Sequence, residues 1–204
     1  HGPVTERLGV ETGKPLADTA SYVAAMRANE RFGGQLPPIY LATLRNKMLQ
    51  LATDISEGAI WANASLSHMS QQLSEIPNAV RDDFFLANMI PTVIDDDVEA
   101  ARAVNRRTLT GYVSLPNYRN YWRAAGYVEE MDAIEAAIEA GNKDILPSLM
   151  SDKWLDDNTI SGSASHVRAR FEEWAHAGVT PIAVMSSTTG GQVKAINQLF
   201  DVYN

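Results

Sequence analysis

The amino-acid sequence predicts an α/β fold built on parallel strands. Four short apolar runs alternate with segments whose apolar residues recur at helical spacing. The runs are apolar on both of their alternating faces, which is typical of strands that helices cover on both sides. The chain has 204 residues, of which 45% are hydrophobic, and this is the length and composition of one globular domain. We therefore interpret residues 1–204 as a single domain.

Three of the four predicted strands lie in the first half of the chain. A helix from about Leu16 to Ala28 comes first, and a loop rich in Gly and Pro follows it. The first strand is predicted over residues 39–43, the second over 59–62 and the third over 84–93. A helical pattern separates each strand from the next, so right-handed crossovers are expected.

Residues 95–179 are predicted to form a large helical insertion before the last strand. Asp95-Asp96-Asp97 opens its first helix, because negative charge is favourable at a helix N-terminus. Ser163 is the predicted N-cap of its last helix, which ends near Gly178. Three adjacent Asp residues on a helix do not face one another, so we do not interpret them as a metal site.

The fourth strand is predicted over residues 181–185 and is followed by the last helix. That helix is predicted to bury Val193, Ile196 and Phe200, which share one face at helical spacing. Between the fourth strand and the last helix lies Ser186-Ser187-Thr188-Thr189-Gly190-Gly191. This segment suits either a phosphate-binding loop or an ordinary flexible turn.

Composition argues against several classes of function. The sequence has no Cys, which excludes disulfide scaffolds and thiolate chemistry and is compatible with a reducing compartment. The net charge of −8 disfavours binding to nucleic acid. No apolar run is long enough to cross a membrane, and no secretory signal is visible. We therefore expect a cytoplasmic protein that binds neither nucleic acid nor membrane.

Three groups of residues, in colinear order, carry a family resemblance. They are Pro38-Ile39-Tyr40-Leu41-Ala42-Thr43-Leu44 with Lys47-Met48-Leu49, the stretch from Gly111-Tyr112 to Trp122, and Gly162-Ser163 to Arg168 with Gly178-Val179. Together they resemble the luciferase-like monooxygenase superfamily, and most of all its oxidoreductases that use the deazaflavin coenzyme F420. The resemblance implies a (β/α)8 barrel, of which this chain is the C-terminal portion, a partial TIM-type barrel with about four strands.

The resemblance also implies a redox function. We expect hydride transfer between F420 and an organic substrate, and an FMN-dependent monooxygenase of the same family is the alternative. A catalytically silent half-barrel that serves as a structural or assembly module is the second alternative. No catalytic residue is transferred, because Pro3 stands near the point where some relatives carry a carboxylate.

The first residue of the sequence and the number of predicted strands bear on the expected partners. The chain begins with His1 instead of Met, so we expect sequence to be missing before it. A partial barrel exposes two strand edges, which favour pairing. We therefore expect a homo-oligomer or association with a missing N-terminal fragment.

The candidate cofactor site lies where the first two strands end. Residues 43–47 lead into a helix N-terminus, whose free N–H groups and dipole suit an anion. Arg45 adds a bidentate phosphate donor and Lys47 a point charge. The resemblance implies that the phosphate-bearing tail of the cofactor binds here and at the loop after the second strand. The predicted cofactor-binding residues are Ala42, Thr43, Leu44, Arg45, Trp61, Asn63, Ala64 and Ser65.

Both parts of this prediction have a structural alternative. Without the resemblance, residues 43–47 are most simply interpreted as an ordinary helix start with solvated charges. Trp61 in a strand is more often a core residue than a wall for the cofactor ring. An aromatic and basic cluster, Tyr118, Arg119, Tyr121 and Trp122, suits closure over an active site, a subunit contact or plain packing.

Overall fold

The computed structural model describes residues 7–9, 13–78 and 82–203. The chain divides into two compact units. The first combines His1–Ile60 with Gln72–Phe85, and the second combines Trp61–Gln71 with Leu86–Asn204. The interpretation as a single domain stays a prediction. His1 and Pro3, on which expectations about upstream sequence and the missing carboxylate depend, lie outside the described residues.

The first unit contains two parallel strands and the helices that precede and follow the first of them. Its elements are α1 (Pro15–Ala28), α2 (Glu30–Gly33), β1 (Tyr40–Ala42), α3 (Asn46–Ile55) and the start of β2 (Gly58–Ala62). The strands β1 and β2 pair in parallel with Leu41 opposite Ala59. The pairing continues one step beyond β1, because the backbone N–H of Thr43 donates to the carbonyl of Ile60 at 2.9 Å.

Glu57 ties three parts of the first unit together. Its carboxylate accepts a hydrogen bond from Arg27 of α1 at 2.6 Å and another from the backbone N–H of Ile39 at 2.8 Å. The Arg27 hydrogen bond, the largest effect, lowers the pKa of the Glu57 carboxyl. The next residue, Gly58, has no room for a side chain, since an added Cβ would lie 2.4 Å from the carbonyl oxygen of Phe85. A glycine is therefore required where the first residue of β2 approaches the backbone of Phe85.

The second unit contains most of the sheet and the helical insertion. After a 3₁₀ turn (Leu66–His68) and the start of α4 (Met69–Ser74), it includes the following elements: β3 (Phe85–Ile94), α5 (Val98–Val113), α6 (Pro116–Ala124), α7 (Val128–Glu139), a 3₁₀ segment (Lys143–Leu149), α8 (Asp152–Asn158), β4 (Ile160–Gly162), α9 (Ala164–His176), β5 (Thr180–Val184) and α10 (Gln192–Asp201).

The long strand β3 pairs in parallel with two partners in succession. Its residues Ala87–Pro91 pair with β5, and its residues Thr92–Ile94 pair with β4. The end of β2 lies beside β3 as well, since the backbone N–H of Asn63 donates to the carbonyl of Met89 at 3.0 Å. The predicted α/β class with parallel pairing is confirmed. All four predicted strands are present, and β4 is an additional strand of three residues.

The helix starts predicted for the insertion are confirmed by their capping bonds. The Asp97 carboxylate accepts from the backbone N–H groups of Glu99 and Ala100, both at 3.1 Å. The Ser163 hydroxyl accepts from the backbone N–H of His166 at 3.3 Å. No helix in the described part of the chain is long and apolar enough to cross a membrane.

The apolar face of the last helix is exposed, and here the prediction of burial is wrong. Val193, Ile196 and Phe200 of α10 are 76%, 49% and 71% exposed. The buried residues at this end of the chain are Ala195 and Val202. Helical spacing identifies an apolar face correctly, but burial requires another element over that face, and the described residues do not supply one.

Candidate functional site

The predicted residues of the first unit form the turn between β1 and α3. Ala42 ends β1, and Thr43 after it is buried, with its hydroxyl oxygen lacking a hydrogen-bond partner. The carbonyl of Leu44 accepts a hydrogen bond from the Gln72 amide at 3.0 Å. Arg45 is the N-cap residue of α3, and its backbone is extended, as is usual for a cap.

The start of α3 has the properties of an anion-binding helix N-terminus. Arg45 and Lys47 are both exposed there, and the side chain of Arg45 makes no capping hydrogen bond. Positive side chains add to the positive end of the helix dipole. Two cations on an exposed helix start are also common without a ligand, so the phosphate-binding role of Arg45 and Lys47 stays a prediction.

The predicted residues of the second unit follow β2 and contain an unusual backbone conformation. Asn63 has a φ of 58°, and no other non-glycine residue in the described part of the chain has a positive φ. Asn tolerates this left-handed region better than most residues. The side chain of Asn63 is buried, yet its amide nitrogen has no hydrogen-bond partner.

A second buried amide, missed in the sequence analysis, lies beside this turn. The side-chain oxygen of Asn88, in β3, accepts a hydrogen bond from the backbone N–H of Ala64 at 3.3 Å. This bond fixes which end of the amide is oxygen, because an NH2 group facing that N–H would leave both unsatisfied. The NH2 group of Asn88 has no partner, although the residue is completely buried. A polar residue inside the apolar run 84–93 was the sequence signal for it.

Trp61 supplies a third buried donor without a partner. Its side chain is completely buried and its indole N–H is unsatisfied. An unsatisfied buried donor costs about 1–3 kcal/mol, and native proteins keep few of them without a structural or ligand-binding reason. Trp61, Asn63 and Asn88 each carry a buried N–H donor without a partner, and such donors are candidates for binding the acceptor atoms of a ligand.

The aromatic cluster of α6 divides into two functions in the structure. Tyr118 and Arg119 are buried. Arg119 donates to the carbonyl of Val113 at 2.9 Å and to the carboxylate of Glu135 at 2.7 Å. For these two residues the structure agrees with plain packing. Tyr121 and Trp122 instead bind the loop after β2: the Tyr121 hydroxyl accepts from the backbone N–H of Ser65 at 3.0 Å.

The loop after β5 is less suited to phosphate than its sequence indicates. Thr189 donates to the carboxylate of Asp95 at 2.5 Å. This hydrogen bond lowers the pKa of the Asp95 carboxyl, so a negative charge is fixed beside the loop. A phosphate there would be repelled by that carboxylate.

Comparison with known proteins identifies the family. The family model described as luciferase-like monooxygenase matches residues 2–181, which is most of the chain. The chain belongs to the luciferase-like monooxygenase family. This confirms the resemblance predicted from the sequence. No curated protein matches the chain at a significant level of similarity.

Solved structures confirm the fold class of this family member. The coenzyme F420-dependent tetrahydromethanopterin reductase from Methanopyrus kandleri is similar with a TM-score of 0.65 at 21% identity, over 79% of this chain and 48% of that protein. An F420-dependent secondary alcohol dehydrogenase, solved with an F420–acetone adduct, has a TM-score of 0.65 at 13% identity, over 96% of this chain and 63% of that protein. The chain thus spans about half to two thirds of the length of these structures. The α/β fold with parallel strands is that of these larger proteins.

Proposed function

We propose that the chain is part of an F420-dependent oxidoreductase that transfers hydride between the deazaflavin and a small organic substrate. Family membership and the two F420-dependent structural neighbours support this proposal. The observation that carries it is the set of buried N–H donors without partners on Trp61, Asn63 and Asn88.

The chemistry of these donors fits the cofactor. A deazaflavin ring presents carbonyl oxygens and a ring nitrogen as acceptors, and its tail presents phosphate oxygens. Donors held in a buried site give such acceptors stronger hydrogen bonds than water does. When bound, the cofactor supplies the hydride chemistry, and the protein supplies binding, orientation and the electrostatic environment. Asn63 and Asn88 would hold acceptor atoms of the cofactor. Phosphate binding by Arg45 and Lys47 of the first unit is a separate proposal.

Cofactor titration of the ligand-free chain tests the proposal. F420 and FMN are added separately, and binding is followed by quenching of their fluorescence. We expect F420 to bind with a dissociation constant below about 100 µM, which corresponds to roughly 5–6 kcal/mol. The Asn63→Gly variant keeps the positive φ and removes the side-chain donor, so its dissociation constant should rise about tenfold, the loss of one buried hydrogen bond.

Asn105→Ala is the matched control. Asn105 is also buried, but its amide already donates to the carbonyl of Ile160 and to the hydroxyl of Ser161, so its loss should leave the dissociation constant unchanged. Tight binding of FMN alone would favour the monooxygenase alternative. Binding of neither cofactor would contradict the proposal and favour a catalytically silent module.

We further propose that the exposed apolar face of α10 is an assembly surface, and that its partner is the part of the fold that the longer relatives possess. Val193, Ile196 and Phe200 supply the apolar area, and contiguous exposed apolar residues are typical of interaction surfaces. The partial coverage of both structural neighbours supports this choice of partner. Light scattering over a range of concentrations tests it, and self-association that Phe200→Ser abolishes would identify a second copy as the partner instead.

A further inference from the structure

The loop of residues 63–65 is held from two directions within the second unit. On one side lies β3: the backbone N–H of Asn63 donates to the carbonyl of Met89, and the backbone N–H of Ala64 donates to the side-chain oxygen of Asn88. On the other side, the helical insertion supplies the partners of Ser65. The contacts from the insertion come from residues 56 to 93 positions away in sequence, so they are tertiary and not local.

Asn158, the last residue of α8, is the centre of the contacts from the insertion. Its side-chain oxygen accepts two hydrogen bonds, one from the Ser65 hydroxyl at 2.7 Å and one from the Trp122 indole N–H at 2.8 Å. The same indole N–H lies 3.2 Å from the carbonyl of Asn63 and is shared between the two acceptors. Asn158 thereby connects both ends of the loop to α6 and α8.

The amide group of Asn158 satisfies requirements that few side chains meet. Its oxygen has two lone pairs and both are used, while its NH2 group donates to the carbonyl of Trp154 at 2.5 Å. The residue is completely buried. Leu has a similar shape but would leave the Ser65 hydroxyl and the Trp122 indole without this acceptor, and Asp would place a carboxylate oxygen against the Trp154 carbonyl.

We propose that Asn158 is a positioning residue, which fixes the loop 63–65 and thereby preorganises the unsatisfied donors of Asn63 and Asn88 for the ligand. The proposal rests on the proposed function for the nature of the ligand. It adds a role for the helical insertion that neither the family match nor the orphaned donors provide: α6 and α8 hold the loop whose first residue, Asn63, has the left-handed backbone conformation. Such preorganisation increases affinity because the ligand does not have to order the loop.

The first test uses the ligand-free chain, so it does not depend on the cofactor. Backbone hydrogen exchange and the four Trp indole resonances are measured by NMR in Asn158→Leu and in the matched control Asn105→Leu. We expect exchange at Ala64 and Ser65 to become at least about tenfold faster in Asn158→Leu only, with a displaced Trp122 indole resonance. Equal exchange at these two amides in both variants would overturn the proposal.

The second test measures F420 affinity in the same variants by fluorescence quenching. Asn158→Leu should raise the dissociation constant about tenfold, and Asn105→Leu should leave it unchanged. Faster exchange with an unchanged dissociation constant would show that the loop is held for stability alone and would refute the positioning role. If the unmodified chain binds neither F420 nor FMN, the proposed function fails, while the exchange data still decide whether Asn158 holds the loop.

A milder pair of variants applies if Asn158→Leu does not fold. Ser65→Ala removes one of the two bonds to the Asn158 oxygen, and Ser161→Ala removes a comparable buried hydroxyl that accepts from Asn105 at 2.8 Å. Ser65→Ala should accelerate exchange at residues 64 and 65 and weaken F420 binding several-fold, and Ser161→Ala should do neither. The reverse result, or no difference between the two variants, would refute the proposal.

Discussion

Two phenylalanines of the second unit provide a direct test of how α10 packs. Phe200 of α10 is 71% exposed, whereas Phe171 of α9 is 5% exposed. Full burial of a Phe side chain is worth about 1.5–3 kcal/mol, so the less than one third of Phe200 that is covered contributes less than about 1 kcal/mol. Ala also has a higher helix propensity than Phe by a few tenths of a kcal/mol, which offsets part of this loss.

We therefore expect Phe200→Ala to change the free energy of unfolding by about 0.5 kcal/mol or less. Phe171→Ala should lower it by about 3–5 kcal/mol, because it removes a buried ring and leaves a cavity. Urea denaturation followed by circular dichroism, at a protein concentration low enough to prevent association, measures both. A loss above about 2 kcal/mol for Phe200→Ala under these conditions would show that another part of the chain covers this face and would refute the exposed arrangement of α10.

Three further predictions each concern one residue. Gly58→Ala should lower the free energy of unfolding by several kcal/mol, because its Cβ would meet the Phe85 carbonyl, and unchanged stability in a denaturant titration would contradict that contact. Gly111 lies in α5 with open space around an added Cβ, so Gly111→Ala should raise the free energy of unfolding by about 0.5–1 kcal/mol because it restricts the unfolded chain. The same denaturant titration measures this, and a loss of stability would contradict the open space. Burial raises the pKa of the Tyr118 phenol to about 12. The stabilisation that the protonated phenol gives the folded state is therefore complete below pH 10 and is lost as the pH rises from 10 to 12. Over this range the free energy of unfolding should fall less steeply with pH in Tyr118→Phe, and an identical slope would count against burial of the phenol.

The sequence was sufficient for those features that depend on local pattern. Short apolar runs identified the positions of β1, β2, β3 and β5 to within about two residues, because strands are rich in apolar residues between turn signals. The expected burial on both faces holds for most of β3, but the residues of β1 and β5 are mostly exposed or half-buried. The N-caps Asp97 and Ser163 were predictable because a cap is satisfied by its own helix within three residues.

Features that depend on distant partners were not predictable. The strand β4 is only three residues long, and its pairing is set by the end of β3, about 68 positions earlier in the chain. Asn158 had no signal in its neighbourhood, because the two groups that donate to its side-chain oxygen lie on α6 and after β2. The exposure of α10 depends on what lies over it, which helical spacing does not encode.

The eight predicted site residues show the same division. The turn chemistry of Asn63 and the helix start at Arg45 follow from local sequence, and the structure describes both. The unsatisfied state of the Asn63 and Asn88 amides is a property of the packed fold, which the sequence pattern does not encode. Their assignment to a cofactor stays a prediction that the titrations above decide.

The succession of β5 and β4 along a single strand limits how the insertion can move. The strand β4 is hydrogen-bonded to the last three residues of β3, the strand that also carries Asn88. An outward hinge motion of the helices α5 to α8, which lie between β3 and β4 in the chain, would have to break this parallel pairing. The helices between β3 and β4 are therefore anchored to the sheet at both ends, and we expect them to remain seated on it.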